Sequence, residues 1–269
     1  LSEFSKRQAL PIELRRPINL TLTASGANSK LTIGDDAVIR TDPGGAIKLS
    51  AGELLNINGT LEAPAGSITL TQAEGLKRGS AVGFSDQAGI WLGSKARILA
   101  TGFARIVTDR FGARTGSVLA GGNVNITASN GYVMTDKNAV IDVSGASGQV
   151  DKLPGANVYL AQPATIGGDA GQVAISATEG IVLDAVLRGG VAVAGAQPGQ
   201  LSITLDNQNF ARALNSYPLG DRALLISESG YAMPAGVKAG DAIPRSLNGK
   251  AYVAADRLRG EPVTRVGVS

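Results

Sequence analysis

The chain has 269 residues, 43% of them hydrophobic but only 4% aromatic, with 36 glycines and a net charge of +3. It contains no cysteine and no histidine, which excludes disulfides, thiolate zinc sites and a Ser-His-Asp triad. The modest charge, with no Lys/Arg stripe interleaved with aromatics, gives no nucleic-acid signature, and no apolar run reaches the roughly 18 residues of a membrane-spanning helix.

Residues 1–17, with Lys6-Arg7, Arg15-Arg16, Pro11 and Pro17, read as a lead-in or cap. No signal-type segment opens the sequence, so an exported protein of this kind is expected to be an internal piece of a longer precursor. The first regular strand is expected at Ile18–Thr23. A turn at Gly26–Ser29 follows, then short strands at Leu31–Ile33 and Ala37–Ile39. The stretch Gly45–Ala65 carries the pattern most clearly. Ile47 and Leu49, Leu55 and Ile57, and Leu61 with Ala63 alternate with polar neighbours, and glycines and Pro64 punctuate the runs. Such alternation puts one set of side chains on one face. The pattern restarts at Gly66-Ser67-Ile68-Thr69-Leu70, 66 − 45 = 21 residues after Gly45-Ala46-Ile47-Lys48-Leu49.

The rhythm then breaks over 72–89, resumes at Gly89–Gly93 and Ala96–Ala100, and breaks again over 102–120. Both breaks read as inserted loops. Another repeat runs from Gly121–Ala128 through Gly131–Met134 to Ala139–Val143. Residues 148–170 hold Val158-Tyr159-Leu160 and a Gly167-Gly168 corner. A later copy covers Gly171–Ala177, Gly180–Asp184 and Gly190–Val193, and Gly199–Leu205 opens the last recognisable one. Asn209–Leu214 has the look of a short helix. Residues 221–269 lack the rhythm, and 207–269 is assigned to a cap or side module.

Runs this short cannot form independent hairpin sheets. Stacked in register at about 4.8 Å per copy, each pairs in parallel with its equivalents above and below. A period near 21 residues fits one turn of a parallel β-solenoid. Gly and Asn at the corners are expected to supply positive φ angles. Seven or eight turns are expected. The fold class is therefore all-β, a parallel β-helix over 18–206 with insertions at 72–89 and 102–120 and an irregular C-terminal cap.

Gly44–Gly66, Gly121–Gly145 and Gly171–Val193 share a Gly-Gly-x-[IV]-x-[IL]-x-Ala rhythm followed by two shorter alternating runs. With Trp91-Leu92-Gly93 and Val140-Ile141-Asp142-Val143-Ser144-Gly145, it resembles the filamentous haemagglutinin family of secreted bacterial exoproteins over roughly residues 18–206. The resemblance implies a right-handed β-helix. It also implies two-partner secretion through an outer-membrane transporter, display at the bacterial cell surface, and a role in adhesion, biofilm or contact-dependent competition. The family's N-terminal secretion domain is not evident, so the chain looks like a piece of the shaft. It implies no catalytic residues, and an Arg-Gly-Asp tripeptide is absent from the sequence.

The rival class is a polysaccharide-binding or polysaccharide-cleaving β-helix with paired carboxylates. Its candidates are Asp35, Asp36, Asp42, Asp142, Asp169 and Asp184. Asp35-Asp36 after Gly34 is ordinary turn chemistry, and no Gly-Gly-x-Gly-x-Asp calcium repeat occurs. Gly167-Gly168 and Gly189-Gly190 lack the Lys-Ser/Thr of a phosphate loop and read as corners. No catalytic, cofactor or metal residue is assigned. The sharper candidates are the basic side chains of the two insertions, Lys77, Arg78, Arg105, Arg110 and Arg114, accompanied by Phe84, Phe103 and Phe111. If both loops leave the same side of a rigid rod, they can hold an anionic glycan or a protein of a host or bacterial surface.

Overall fold

The computed structural model describes residues 10–11, 15–72, 85–152, 161–206, 221–231, 233–234, 236–258 and, for the backbone alone, 263–268. The first three repeats supply β1 (Leu20–Ala24), β2 (Lys30–Ile33) and β3 (Val38–Arg40), then β4 (Ala46–Ala51), β5 (Leu54–Ile57) and β6 (Thr60–Glu62), then β7 (Ser67–Gln72), β8 (Gly89–Leu92) and β9 (Arg97–Leu99). Two strands outside the rhythm follow, β10 (Phe103–Thr108) and β11 (Arg114–Leu119). The fourth repeat is β12 (Asn123–Ala128), β13 (Tyr132–Thr135) and β14 (Val140–Asp142), and another extra pair follows it, β15 (Ser147–Lys152) and β16 (Gln162–Gly167). The fifth is β17 (Gln172–Ala177), β18 (Gly180–Leu183) and β19 (Val186–Arg188). The remainder is β20 (Gly199–Leu205), β21 (Ala223–Ser227), β22 (Lys250–Ala254) and β23 (Val263–Val268).

The strands of successive repeats pair in parallel. Sheet 1 runs β1-β4-β7-β12-β17-β20-β23, sheet 2 runs β2-β5-β8-β13-β18-β22-β21, and sheet 3 runs β3-β6-β9-β14-β19. Among the described residues the chain is all-β, without α-helix, and its parallel sheets are compatible with a β-solenoid. Register sets like on like. Leu22, Leu49, Leu70, Ile126, Ile175 and Ile203 form one inward column of sheet 1. Leu31, Leu55, Ile90, Val133, Ile181 and Ala251 form one of sheet 2. Ile39, Leu61, Ile98, Ile141 and Leu187 form one of sheet 3. The columns of all three sheets meet in a single buried apolar cluster. Since parallel strands pair with equivalents one repeat away, each substitution in the pattern is read against the residues above and below it.

Two polar residues stand in these columns. Gln72 occupies the level held by Ala51 and Ala128. It is fully buried, donates to the Gly52 carbonyl at 2.7 Å and accepts from the Asn130 N–H at 3.0 Å. Thr135 sits between Leu92 and Leu183; its hydroxyl donates to Val182 O and accepts the N–H groups of Asp184 and Ala185. Both meet the requirement that a buried polar group be hydrogen-bonded.

Several sequence expectations are corrected. The third strand of the fifth repeat is Val186–Arg188, not Gly190–Val193. Leu187 reaches the core in register with Ile141, whereas Val191 is exposed. Ser147–Lys152 and Gln162–Gly167 are not part of a repeat but pair as a second antiparallel excursion. The C-terminal part is not simply irregular, since three of its strands extend sheets 1 and 2. Its rhythm is hidden because the strands enter out of chain order. β21 takes the outer position of sheet 2, and the later β22 inserts between β18 and β21. Ala251 and Val253 suit the inner place, being buried, while Leu225 and Ile226 of β21 remain exposed. The Asn209–Leu214 helix lies outside the described residues.

The described residues of 231–247, between β21 and β22, form a strap that covers the outer face of sheet 2. Trp91, Tyr132, Met134 and Val182 form an outward apolar patch there, and Tyr231, Met233, Val237, Ile243 and Leu247 pack over it with Tyr252. The Tyr132 hydroxyl bonds Asn248, and the Ile243 N–H donates to Asp86 O at 2.9 Å. The strap thus covers a face rather than only an open end.

Candidate functional site

The segment 102–120 is a six-pair antiparallel hairpin, Phe103 opposite Leu119 and Thr108 opposite Arg114. It leaves between β9 of sheet 3 and β12 of sheet 1. β15 and β16 form a second six-pair hairpin between β14 and β17, at the same corner one repeat on. The two pack together, with β15 against β10 and β11. The 72–89 break instead lies between β7 of sheet 1 and β8 of sheet 2. The two expected insertions therefore leave from different corners, and the neighbour of the first hairpin is the second one.

Sequence chemistry explains the first hairpin's tip. The Asp109 carboxylate accepts the N–H groups of Phe111 at 2.8 Å and Ala113 at 2.9 Å. Gly112 takes φ +84°, a conformation that glycine adopts without penalty. Asp side chains commonly close turns in this way. The side-chain bonds hold Arg110 and Phe111 outward: Phe111 is 80% exposed, and the Arg110 guanidinium carbon lies 4.6 Å from its ring centroid.

The five basic candidates do not form one patch. Lys77 and Arg78, with Phe84, lie outside the described residues. Arg105 is half-buried within β10, and its Nε is buried with no hydrogen-bond partner among the described residues. Arg114 is committed within the hairpin pair. Its Nη2 is 2.7 Å from Asp151 Oδ1, its backbone N–H donates to Asp151 Oδ2 at 2.7 Å, and its Nη1 donates to Gln149 Oε1 at 2.8 Å. The Arg114 hydrogen bonds hold the Asp151 carboxyl below the usual carboxylate range. Of the three described arginines, only Arg110 is both exposed and at the tip. Nothing local in the sequence marks Gln149 and Asp151 as partners of Arg114, because 35 and 37 residues separate them from it. The clue to the second hairpin was alternation in Ser147–Lys152 and again in Gln162–Gly167, flanking a gap too short for another repeat.

The carboxylates considered for chemistry are dispersed in corners and ion pairs. Asp35 faces Lys95 at 2.8 Å, Asp42 faces Arg15 at 3.4 Å and Asp184 faces Arg257 at 3.2 Å. Asp142 accepts the Ser144 N–H and Asp169 the Gln197 N–H. Asp36 holds a turn at φ +61°. Among the described residues no three acidic side chains gather into a metal site.

Comparison with family models, with curated proteins and with solved structures finds no match for this chain.

Proposed function

We propose that this chain is a structural and adhesive segment of a large secreted bacterial surface exoprotein of the filamentous haemagglutinin kind. In this reading the three sheets close into a right-handed parallel β-helix, and an outer-membrane transporter partner carries the protein to the cell surface. The repeats are scaffold, and attachment to a glycan or protein of a host or neighbouring cell falls to the departures from them. The observation that supports this most is the braced hairpin pair. An exposed arginine-aromatic tip, held by Asp109 and buttressed by a second hairpin, stands away from a stack of like-on-like rungs. Arg and aromatic side chains are the types that dominate binding energy at interfaces, and a preorganised tip loses less entropy on binding.

The test is attachment of beads coated with the chain to epithelial and bacterial cells. The double variant Arg110→Glu/Phe111→Ala is expected to reduce attachment by about thirtyfold or more, the effect of losing one interface hot spot. Equal attachment by the folded variant, or none by the parent chain, removes the tip as the adhesive element.

A further inference from the structure

The outer corner between sheets 2 and 3 carries a cleft that the scaffold does not require. Two depressions, of about 410 and 480 Å³, share Ser94 and Asp136. The first is bounded by Asn56, Asn58, Trp91 and strap residues 237–239. The second is bounded by Lys137, Asn138, Asp184, Ser229 and the strap residues Tyr231 and Met233. Their volumes fall in the range of small-molecule sites. The body of the protein and the strap form opposite walls, so the cleft exists only because 231–247 docks on sheet 2.

The lining chemistry is specific. Asn56 follows buried Leu55 and precedes buried Ile57, so it points outward from β5. Its Oδ1 is buried and has no hydrogen-bond partner among the described residues. A buried acceptor of that kind lacks a donor that a ligand hydroxyl can supply. Asn58, Asn138 and Ser94 add amide and hydroxyl groups. Burial holds the Asp136 carboxyl above the ordinary range despite a bond from the Ser94 backbone, with the nearby Asp184 charge adding to the rise. Apolar surface comes chiefly from Tyr231, whose ring is 4.6 Å from that of Tyr252, while Trp91 is only 8% exposed beneath the strap. The floor is rigid, because the Thr135 hydroxyl ties β13 to the turn after β18.

We infer that this cleft binds a neutral oligosaccharide. Sugar hydroxyls donate and accept at once, matching an unpaired amide oxygen beside hydroxyl and carboxyl groups, and the C–H face of a sugar ring suits the ring of Tyr231. Asp136 and Asp184 line the cleft together with Lys137 and Lys238, and Asp184 is paired with Arg257, so the lining charges balance and no excess of positive charge selects sulfated or other anionic glycans. The inference deepens the adhesive reading by naming a ligand class, and rests on it only for the biological setting.

Trp91 is the sole tryptophan and lines the cleft, so its fluorescence reports occupancy. The chain is titrated with a panel of neutral oligosaccharides (β-linked glucose, xylose and N-acetylglucosamine, and α-linked glucose) and with chondroitin sulfate oligosaccharides. Saturable change with at least one neutral member is expected. Asn56→Leu is expected to weaken it by about tenfold or more, the size of a lost buried hydrogen bond, while leaving thermal stability equal or raised because an unpaired acceptor is removed. Asp136→Ala provides a second loss, and Arg110→Glu leaves cleft binding unchanged. No response to any neutral member, full response in both cleft variants, or preference for the sulfated ligand overturns the inference. Failure here with tip-dependent cell attachment intact leaves the adhesive reading standing; the converse removes only the tip.

Discussion

At the scale of single residues, corner glycines such as Gly26 and Gly44 take the expected positive φ, but one column of them carries the repeat for another reason. Gly45, Gly66, Gly122 and Gly171 recur at the start of successive first strands, and none is among the positive-φ glycines. A Cβ on Gly66 would lie 1.9 Å from Gly45 O, one on Gly122 2.0 Å from Gly66 O, and one on Gly171 1.8 Å from Gly122 O. The backbones of adjacent repeats meet there without room for a methyl group. Gly122→Ala is therefore expected to destabilise by about 1–3 kcal/mol or more, the cost of overpacking. Gly34→Ala, with open space around its Cβ and no positive φ, is expected to stay within about 0.5 kcal/mol of the parent. Urea denaturation checks both; equal midpoints would remove close approach as the reason for the glycine column. The Gly45–Gly66 step of the column was legible in the sequence as a 21-residue offset, but its cause was not, since neither φ nor the distance to the next repeat is written in a glycine.

At the scale of elements, the paired hairpins act as one unit held by a polar clasp. Gly148 lets Ile106 in closely, a Cβ there lying 2.9 Å from Ile106 Cγ1. Arg114 bridges to Asp151 and Gln149 on the other hairpin. Because the folded Asp151 pKa is lowered, its stabilising contribution is present above the unfolded carboxylate value and is lost as pH falls through the lowered folded value. Hydrogen exchange of the Arg114 amide, which donates to Asp151, is expected to quicken in Asp151→Ala with little change in the inner strands. Protection unchanged by that substitution would show that apolar packing alone joins the hairpins. The basic residues of 102–120 were legible as candidates. The commitment of Arg114 was not, because its partner lies 37 residues on, in a hairpin that only the pairing reveals.

At the scale of the whole molecule, three parallel sheets and one strap make a single stack with two kinds of outer surface. Sheet 3 shows solvated ion pairs such as Arg40 with Glu62, each worth little. Sheet 2 shows the Trp91 patch, which the strap covers. Leu247 is fully buried in that cover, and Leu247→Ala is expected to cost the strap about 2–5 kcal/mol. The measurement is Trp91 emission against far-ultraviolet circular dichroism. Emission is expected to shift to the red at lower urea than the loss of strand signal, since a strap with few rungs of its own opens locally. Coincident transitions would instead make the strap part of one cooperative unit.

The sequence by itself determined the all-β class, the short parallel-pairing strands and the inward columns. Those depend on alternation and small corners that recur in each repeat, and local pattern carries that information. Tertiary structure alone decided which excursions become neighbours, that β22 slips inside β21, and that residues 231–247 lie over sheet 2 to form the Asn56–Asp136 cleft. These depend on contacts between segments far apart in the chain, where partner choice rests on shape and unmet hydrogen bonds rather than on any period. The repeat found from Gly45 to Gly66 thus fixes the frame, and the chain's departures from it build the surfaces on which binding is proposed.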